Sequence, residues 1–175
     1  LNKTKNKNPI VTNLSTTAAL EEITKKYNVN VIRSAVGEIN VVNKMKDYNA
    51  LIGGEGNGGI ILAASHYGRD AFVGAIIILN HLATNNLTMN EAQQNIPKYY
   101  MLKEKIAIDS QLTKTIISKK IKQYFVEQIF DETDGIKVID KNFWIHIRQS
   151  NTEPIIRIYI ESKKEQDLSN LFKKV

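Results

Sequence analysis

No cysteine occurs among the 175 residues, which excludes disulfide scaffolds, thiolate metal sites and cysteine nucleophiles together. No apolar run approaches the roughly 20 residues needed to span a bilayer. The opening segment, Leu1 to Pro9, carries lysines but no apolar stretch behind them, so it does not read as a secretory signal. Aromatic residues make up 7% of the chain, and no aromatic-rich strand of the RNA-stacking kind is visible. These absences leave a soluble cytoplasmic protein with no membrane partner as the expectation. The remaining composition, 42% hydrophobic and 24% charged, is that of a globular chain, and the length suits one or two compact domains. Leu at position 1, in place of Met, suggests a processed chain or an excised piece.

The net charge of +6 is unevenly spread, with +2 on residues 1–95 and +4 on residues 96–175. A basic second half suits nucleic acid or a phosphorylated small molecule. The lysines sit singly or in pairs among acids, as at Lys119-Lys120 and Lys163-Lys164, which is the pattern of solvated helix faces. A basic nucleic-acid module is therefore the remote alternative.

The first half alternates strand-like and helix-like segments. Pro9 to Asn13, Val29 to Ile32, Ala50 to Ile52 and Ile60 to Ala64 read as strands. Between them, Leu20, Ile23 and Tyr27 mark one amphipathic helix, entered through the hydroxyls of Ser15 to Thr17. Ile39, Val42 and Met45 mark a second helix. Asp70 to Ala83 is apolar nearly all round and predicts a helix buried on most sides. Thr88 and Glu91 have capping-box spacing, and Pro97 marks the end of the unit.

The second half runs strand (Tyr99 to Ile108), helix (Leu112 to Gln128), three strands and a closing helix (Leu168 to Val175). The three strands are Ile136 to Ile139, Phe143 to Ile147 and Ile155 to Ile160, and Asp134-Gly135 is a turn before them. Ile116, Ile117, Ile121, Tyr124 and Phe125 form the helix's expected buried stripe. The expected fold is an α/β three-layer domain over residues 1–95, with a mixed sheet and flanking helices. A small α+β domain with an antiparallel four-stranded sheet follows over residues 96–175.

Two loops could carry chemistry. Gly53 to Gly59 reads GGEGNGG, and Gly54, Gly56 and Gly59 formally satisfy the dinucleotide pattern GxGxxG. The residues that follow continue as strand, whereas a pyrophosphate needs a helix N-terminus, and Glu55 would set a carboxylate where phosphates must sit. A neutral sugar suits the loop better: glycines permit close backbone approach, while Glu55 and Asn57 offer acceptors and donors to hydroxyls. An irregular glycine turn without a ligand is the equal alternative. The second loop, Arg148 to Pro154, reads RQSNTEP. Its hydroxyls, amide and backbone N–H groups suit an anion, and Arg148 supplies a planar fork matched to phosphate. Asp70, at a helix start, reads as a cap. His66, His81 and His146 lack metal-ligand spacing, so no metal site is expected. Trp144 reads as core.

Taken together, GEGNGG and RQSNTEP resemble two loops of the α-D-phosphohexomutases, the family of phosphoglucomutase, phosphomannomutase and phosphoglucosamine mutase. The family's sugar loop has the form G-E-x-S-G-H and its phosphate loop R-x-S-G/N-T-E-P. Val36-Gly37-Glu38 resembles the V-G-D that opens a third-domain helix, and Asp134-Gly135-Ile136-Lys137 resembles the D-G-V-K of the fourth domain. Asn57 and Gly59 stand where the family has serine and histidine, and GEGNGG with HYGRD leans towards the phosphoglucosamine mutase-like branch. The resemblance implies the third and fourth domains of a four-domain enzyme, the last of them TATA-binding-protein-like. It implies substrate-binding roles for Glu55, Asn57, Gly58 and Arg69, and phosphate-binding roles for Arg148, Ser150, Asn151, Thr152 and Arg157. The partners so implied are a hexose phosphate (glucosamine, glucose or mannose phosphate) and the enzyme's N-terminal domains. The catalytic phosphoserine and the magnesium loop D-G-D-G-D-R belong to those domains, so Mg2+ is expected in the whole enzyme and not in this chain. The 175 residues alone are expected to be inactive as a mutase.

Overall fold

A computed structural model describes residues 8–107, 114–150 and 153–175. The chain divides into two compact units, the first ending at Lys98 and the second running from Tyr99 to Val175. Among the described residues no helix is long and apolar enough to cross a membrane.

In the first unit, β1 (Ile10–Asn13), α1 (Ala19–Lys25), β2 (Val31–Ser34), α2 (Glu38–Asp47), β3 (Ile52–Gly54), β4 (Ile60–Leu62), α3 (Ala71–Asn85) and α4 (Met89–Gln94) follow in order. The sheet is mixed, in the order β2-β1-β3-β4: β1 runs parallel to β2 and β3, and β4 returns antiparallel to β3. Its core joins Val11 and Ile61 of the sheet to Val41, Val42 and Met45 of α2 and to Ala50. At Gly53 an added Cβ would displace the Met45 thioether.

Three details of the helices differ from expectation. In α1 the buried residues are Ala19 and Thr24, while Tyr27 is exposed; at the helix start the Thr17 hydroxyl oxygen does accept from the Ala19 N–H at 3.1 Å. In α2 Val41 replaces Ile39 in the stripe, since positions i, i+1 and i+4 from Val41 face the sheet and Ile39 points to solvent. The third difference is the largest. Helix α3 is not buried on most sides: Gly74 is its one buried residue, against Ile60, while Phe72 is 83% and Leu79 63% exposed. Its strand neighbour, β4, is a three-residue edge strand, so little sheet lies beneath a 15-residue helix. The Thr88–Glu91 capping box at α4 is formed as its spacing predicts.

The second unit contains β5 (Tyr100–Ala107), α5 (Lys114–Tyr124), β6 (Ile129–Asp131), β7 (Ile136–Ile139), β8 (Phe143–Gln149), β9 (Ile155–Ser162) and α6 (Glu165–Phe172). Its sheet is antiparallel with five strands in the order β5-β9-β8-β7-β6, one more than the four expected. The extra strand, β6, is only three residues long, too short for alternation to be read. Ile145, Ile147, Ile156, Ile158, Ile160, Ile136 and Val138 bury one face against Ile121 and Phe125 of α5 and Leu171 of α6. Ile116 and Tyr124, expected in the α5 stripe, are exposed. Ile108 and Leu112, expected to end the strand and begin the helix, lie outside the described residues.

The opposite face of this second sheet is polar. Strand alternation puts Trp144, His146 and Arg148 on it, and the register sets Glu161, Tyr159 and Arg157 beside them. Trp144 is buried as expected, with its indole N–H donating to Glu161 Oε1 at 2.7 Å and the Lys137 ammonium 4.3 Å from the ring centre.

Candidate functional site

The GGEGNGG loop closes the β3–β4 hairpin. Glu55 N–H donates to the Gly59 carbonyl at 2.9 Å and Gly58 N–H to the Glu55 carbonyl at 3.1 Å, so the turn is self-braced. The Glu55 carboxylate is nearly buried, its side chain 5% exposed. Oε1 accepts from the Asn13 amide at 2.9 Å and from the Gly37 N–H at 3.0 Å, while Oε2 lies 3.6 Å from Arg69 Nη1. One oxygen is thus committed to holding the loop on β1 and on the start of α2. The other looks towards Arg69.

Gly37 can present its N–H because it sits at φ +120°, a backbone that other residues rarely adopt. Asn57 is exposed and its Oδ1 accepts from the Gly59 N–H at 3.2 Å, an Asx-type turn, and Gly58 at φ +94° has open space around it. Arg69 Nε donates to Glu38 Oε2 at 2.7 Å, and the guanidinium holds the Glu38 carboxyl below its usual range. The stem of Arg69 crosses Gly59 so closely that a Cβ there would overlap its Cδ. The residue standing in place of the family's histidine therefore leaves room for this arginine. Asp70 caps α3 as expected: Oδ1 accepts from Phe72 N–H at 2.8 Å and Val73 N–H at 3.0 Å, and Oδ2 meets His66 Nε2 at 3.0 Å. These donors, the Val73 N–H first, lower its carboxyl pKa.

In the second unit Arg148 and Ser150 enter the RQSNTEP turn from β8. Ser150 N–H donates to the Ile155 carbonyl at 2.9 Å and Ile155 N–H to the Glu153 carbonyl at 2.8 Å. Asn151 and Thr152 lie outside the described residues. Arg157 Nη2 meets Glu153 Oε2 at 2.6 Å. The register places Arg148 directly opposite Arg157, and Arg157 opposite Lys105 of β5, so three cations form one row across β8, β9 and β5. Like charges set opposite one another in a sheet destabilise it. Arg148 Nε is buried, with no hydrogen-bond partner among the described residues. A row of three cations, only the middle one of them paired with a described carboxylate in Glu153, with a buried donor that no described group satisfies, is the electrostatic form of an anion site.

Residues not singled out from the sequence also contribute. Asn13 and Glu38 hold Glu55 and Arg69, and Lys105 extends the cation row. Val36-Gly37-Glu38 carried a partial signal for Glu38. Nothing along the chain marked Asn13 or Lys105, since their roles arise from strand register. Among the described residues no three His, Asp or Glu side chains gather as a metal site.

Residues 1–100 match the family profile described as phosphoglucomutase/phosphomannomutase, alpha/beta/alpha domain III, and residues 102–175 match that family's C-terminal domain. The chain belongs to the phosphoglucomutase/phosphomannomutase family. It is 39% identical over 164 residues to the phosphoglucosamine/phosphogalactosamine mutase of Sulfurisphaera tokodaii, covering 93% of this chain and 36% of the relative. It is 35% identical over 162 residues to a phosphoglucomutase/phosphomannomutase of Thermococcus kodakarensis, covering 90% and 34%. Among solved structures, a phosphoglucomutase/phosphomannomutase family protein of Burkholderia thailandensis shares the fold at a TM-score of 0.77 and 18% identity, over 95% of this chain and 36% of that one. The chain thus spans about a third of the length of the curated relatives it matches.

Proposed function

We propose that these residues form the sugar- and phosphate-binding part of a phosphohexomutase of the phosphoglucosamine mutase type, which interconverts a hexose 6-phosphate and its 1-phosphate. The observation that carries the reading is the Arg148–Arg157 pair, opposed across two strands, with Arg148 Nε buried and without a partner among the described residues. A dianionic phosphate relieves the repulsion and accepts from that donor. Ser150 and, by the family motif, Asn151 and Thr152 add to the same cradle. In the first unit, Oε2 of Glu55 accepts from a sugar hydroxyl while Oε1 keeps the carboxylate in place, and Asn57, Gly58 and Arg69 supply the exposed rim.

In the whole enzyme a phosphoserine outside this chain gives its phosphoryl group to the sugar's free oxygen. The resulting bisphosphate reorients and returns its other phosphoryl group to the serine. What this chain contributes is positioning and charge compensation, which phosphoryl transfer chiefly demands. Magnesium belongs to a loop absent here, and no step is assigned to it in these residues. The preference for an amino sugar rests on GEGNGG with the HYGRD of residues 66–70 and on the 39% identity to a phosphoglucosamine/phosphogalactosamine mutase. Phosphomannomutase or phosphoglucomutase specificity is the second reading, favoured by the Thermococcus relative.

Titration of the chain with glucosamine 6-phosphate, mannose 6-phosphate and unphosphorylated glucosamine, followed by backbone amide shifts, tests the proposal. Shifts at Gly54–Gly59 and at Arg148–Ile155 with the phosphorylated sugars support it. Equal response to unphosphorylated glucosamine refutes it.

A further inference from the structure

Gly135 occupies a place that a side chain could enter only by displacing its neighbours. It sits at φ +74°, and a Cβ there would overlap the Ile147 carbonyl oxygen and stand 2.8 Å from Arg148 Cβ and 2.9 Å from Arg148 Cα. The turn before β7 is therefore pressed backbone to backbone against β8 at the point where Arg148 leaves the sheet. The register confirms the placement: Ile136 pairs with Ile147, so the next position back faces Arg148.

The turn is also fastened from the polar face. His146, fully buried, lies two residues before Arg148 on the same side of β8, and its Nε2 is 2.6 Å from the Asp134 carbonyl oxygen. Neutral imidazole protonated at Nε2 donates this bond. Asp134 and Gly135 are thus held between two residues of one strand, His146 below and Arg148 above. Arg148 has a buried Nε that no described group satisfies, so Nε does not tie the side chain to a described neighbour. The backbone beneath it sets where the side chain starts, through the contact of Gly135 with Arg148 Cα and Cβ.

We propose that Gly135, tethered through the Asp134 carbonyl by His146, is a positioning residue that fixes where the Arg148 guanidinium stands for phosphate. This rests on the reading of Arg148 as a phosphate ligand. A methyl at Gly135 pushes on Arg148 Cα and Cβ, and a displacement of an ångström at the base of a long side chain is enough to misalign a two-pronged contact.

The test is isothermal titration of inorganic phosphate and of glucosamine 6-phosphate into the full chain, as wild type, Gly135→Ala, Arg148→Ala and the double variant. Emission of Trp144, the single tryptophan, reports whether the second unit is folded in each. The expected result is affinity about tenfold weaker for Gly135→Ala with the Trp144 spectrum retained, and no further loss when Gly135→Ala is added to Arg148→Ala. Wild-type affinity in Gly135→Ala, or an equal loss in the Arg148→Ala background, overturns the positioning role, the second because the effect would not act through Arg148. If Gly135→Ala does not fold, His146→Leu should weaken phosphate binding while His146→Gln, which keeps a donor, retains it; equal affinities overturn the proposal. If Arg148→Ala binds phosphate as wild type does, or wild type does not bind it, the phosphate reading itself fails and the positioning role with it.

Discussion

His146 makes the stability of the second unit depend on acidity in a calculable way. Burial pushes its imidazole from the ordinary 6.5 down to about 4, against partial support from the Asp134 carbonyl and carboxylate; the nearby charges of Lys137 and Arg148 lower it further. Above pH 6.5 the ring is neutral in the folded and the unfolded chain, and its titration contributes nothing. Between 6.5 and 4 the unfolded chain takes up a proton that the folded one refuses, so stability falls as pH falls. A difference of about 2.5 units corresponds to about 3 kcal/mol, fully lost below pH 4. Against a typical domain stability of about 5 to 15 kcal/mol, that loss is large. The measurement is urea unfolding followed by Trp144 emission at several pH values between 7.5 and 4, for wild type and for His146→Gln, which cannot titrate. Subtracting the two profiles removes the carboxylates, which titrate in both. The wild type should lose about 3 kcal/mol more than the variant over this range. Parallel profiles would refute the reasoning, as would an imidazole NMR titration midpoint near 6.5 in the folded chain.

Other outcomes follow from the same geometry. Arg148→Ala should weaken phosphate binding by about tenfold or more, whereas Lys119→Ala on α5 leaves it unchanged, as calorimetry would show. Lys105→Ala should weaken it less than Arg148→Ala and reduce its salt dependence, because Lys105 ends the cation row while Arg148 holds the buried donor. Glu55→Ala strands the buried Asn13 amide and the Gly37 N–H; denaturant unfolding of the first unit should show a loss of about 2 kcal/mol. The chain alone should show no conversion of glucosamine 6-phosphate to the 1-phosphate in a coupled assay, and measurable turnover would contradict the assignment of phosphoserine and magnesium to other domains.

Local chemistry carried most of what was legible along the chain. Strand and helix alternation, the Thr88–Glu91 capping box and the Asp70 cap depend on neighbours a few residues apart, and each is formed. The two loop motifs were legible for the same reason, since a glycine turn and an Arg-Ser-Asn-Thr turn are written in consecutive residues. The apolar run of α3 misled. Hydrophobicity states that a helix avoids water, but what lies beneath it depends on the sheet, and here that is a short edge strand. Strand β6 escaped notice because three residues cannot display a period of two.

Pairing register is where the sequence falls silent and the fold speaks. That Arg148 faces Arg157 and Arg157 faces Lys105, that Asn13 reaches Glu55 across 42 residues, and that Gly135 lies under Arg148 are all consequences of how strands align. Residue types and their local spacing determined which loops could take a sugar or a phosphate. Alignment decided which side chains stand together to do so, because a shift of one residue would turn every side chain of a strand to the other face.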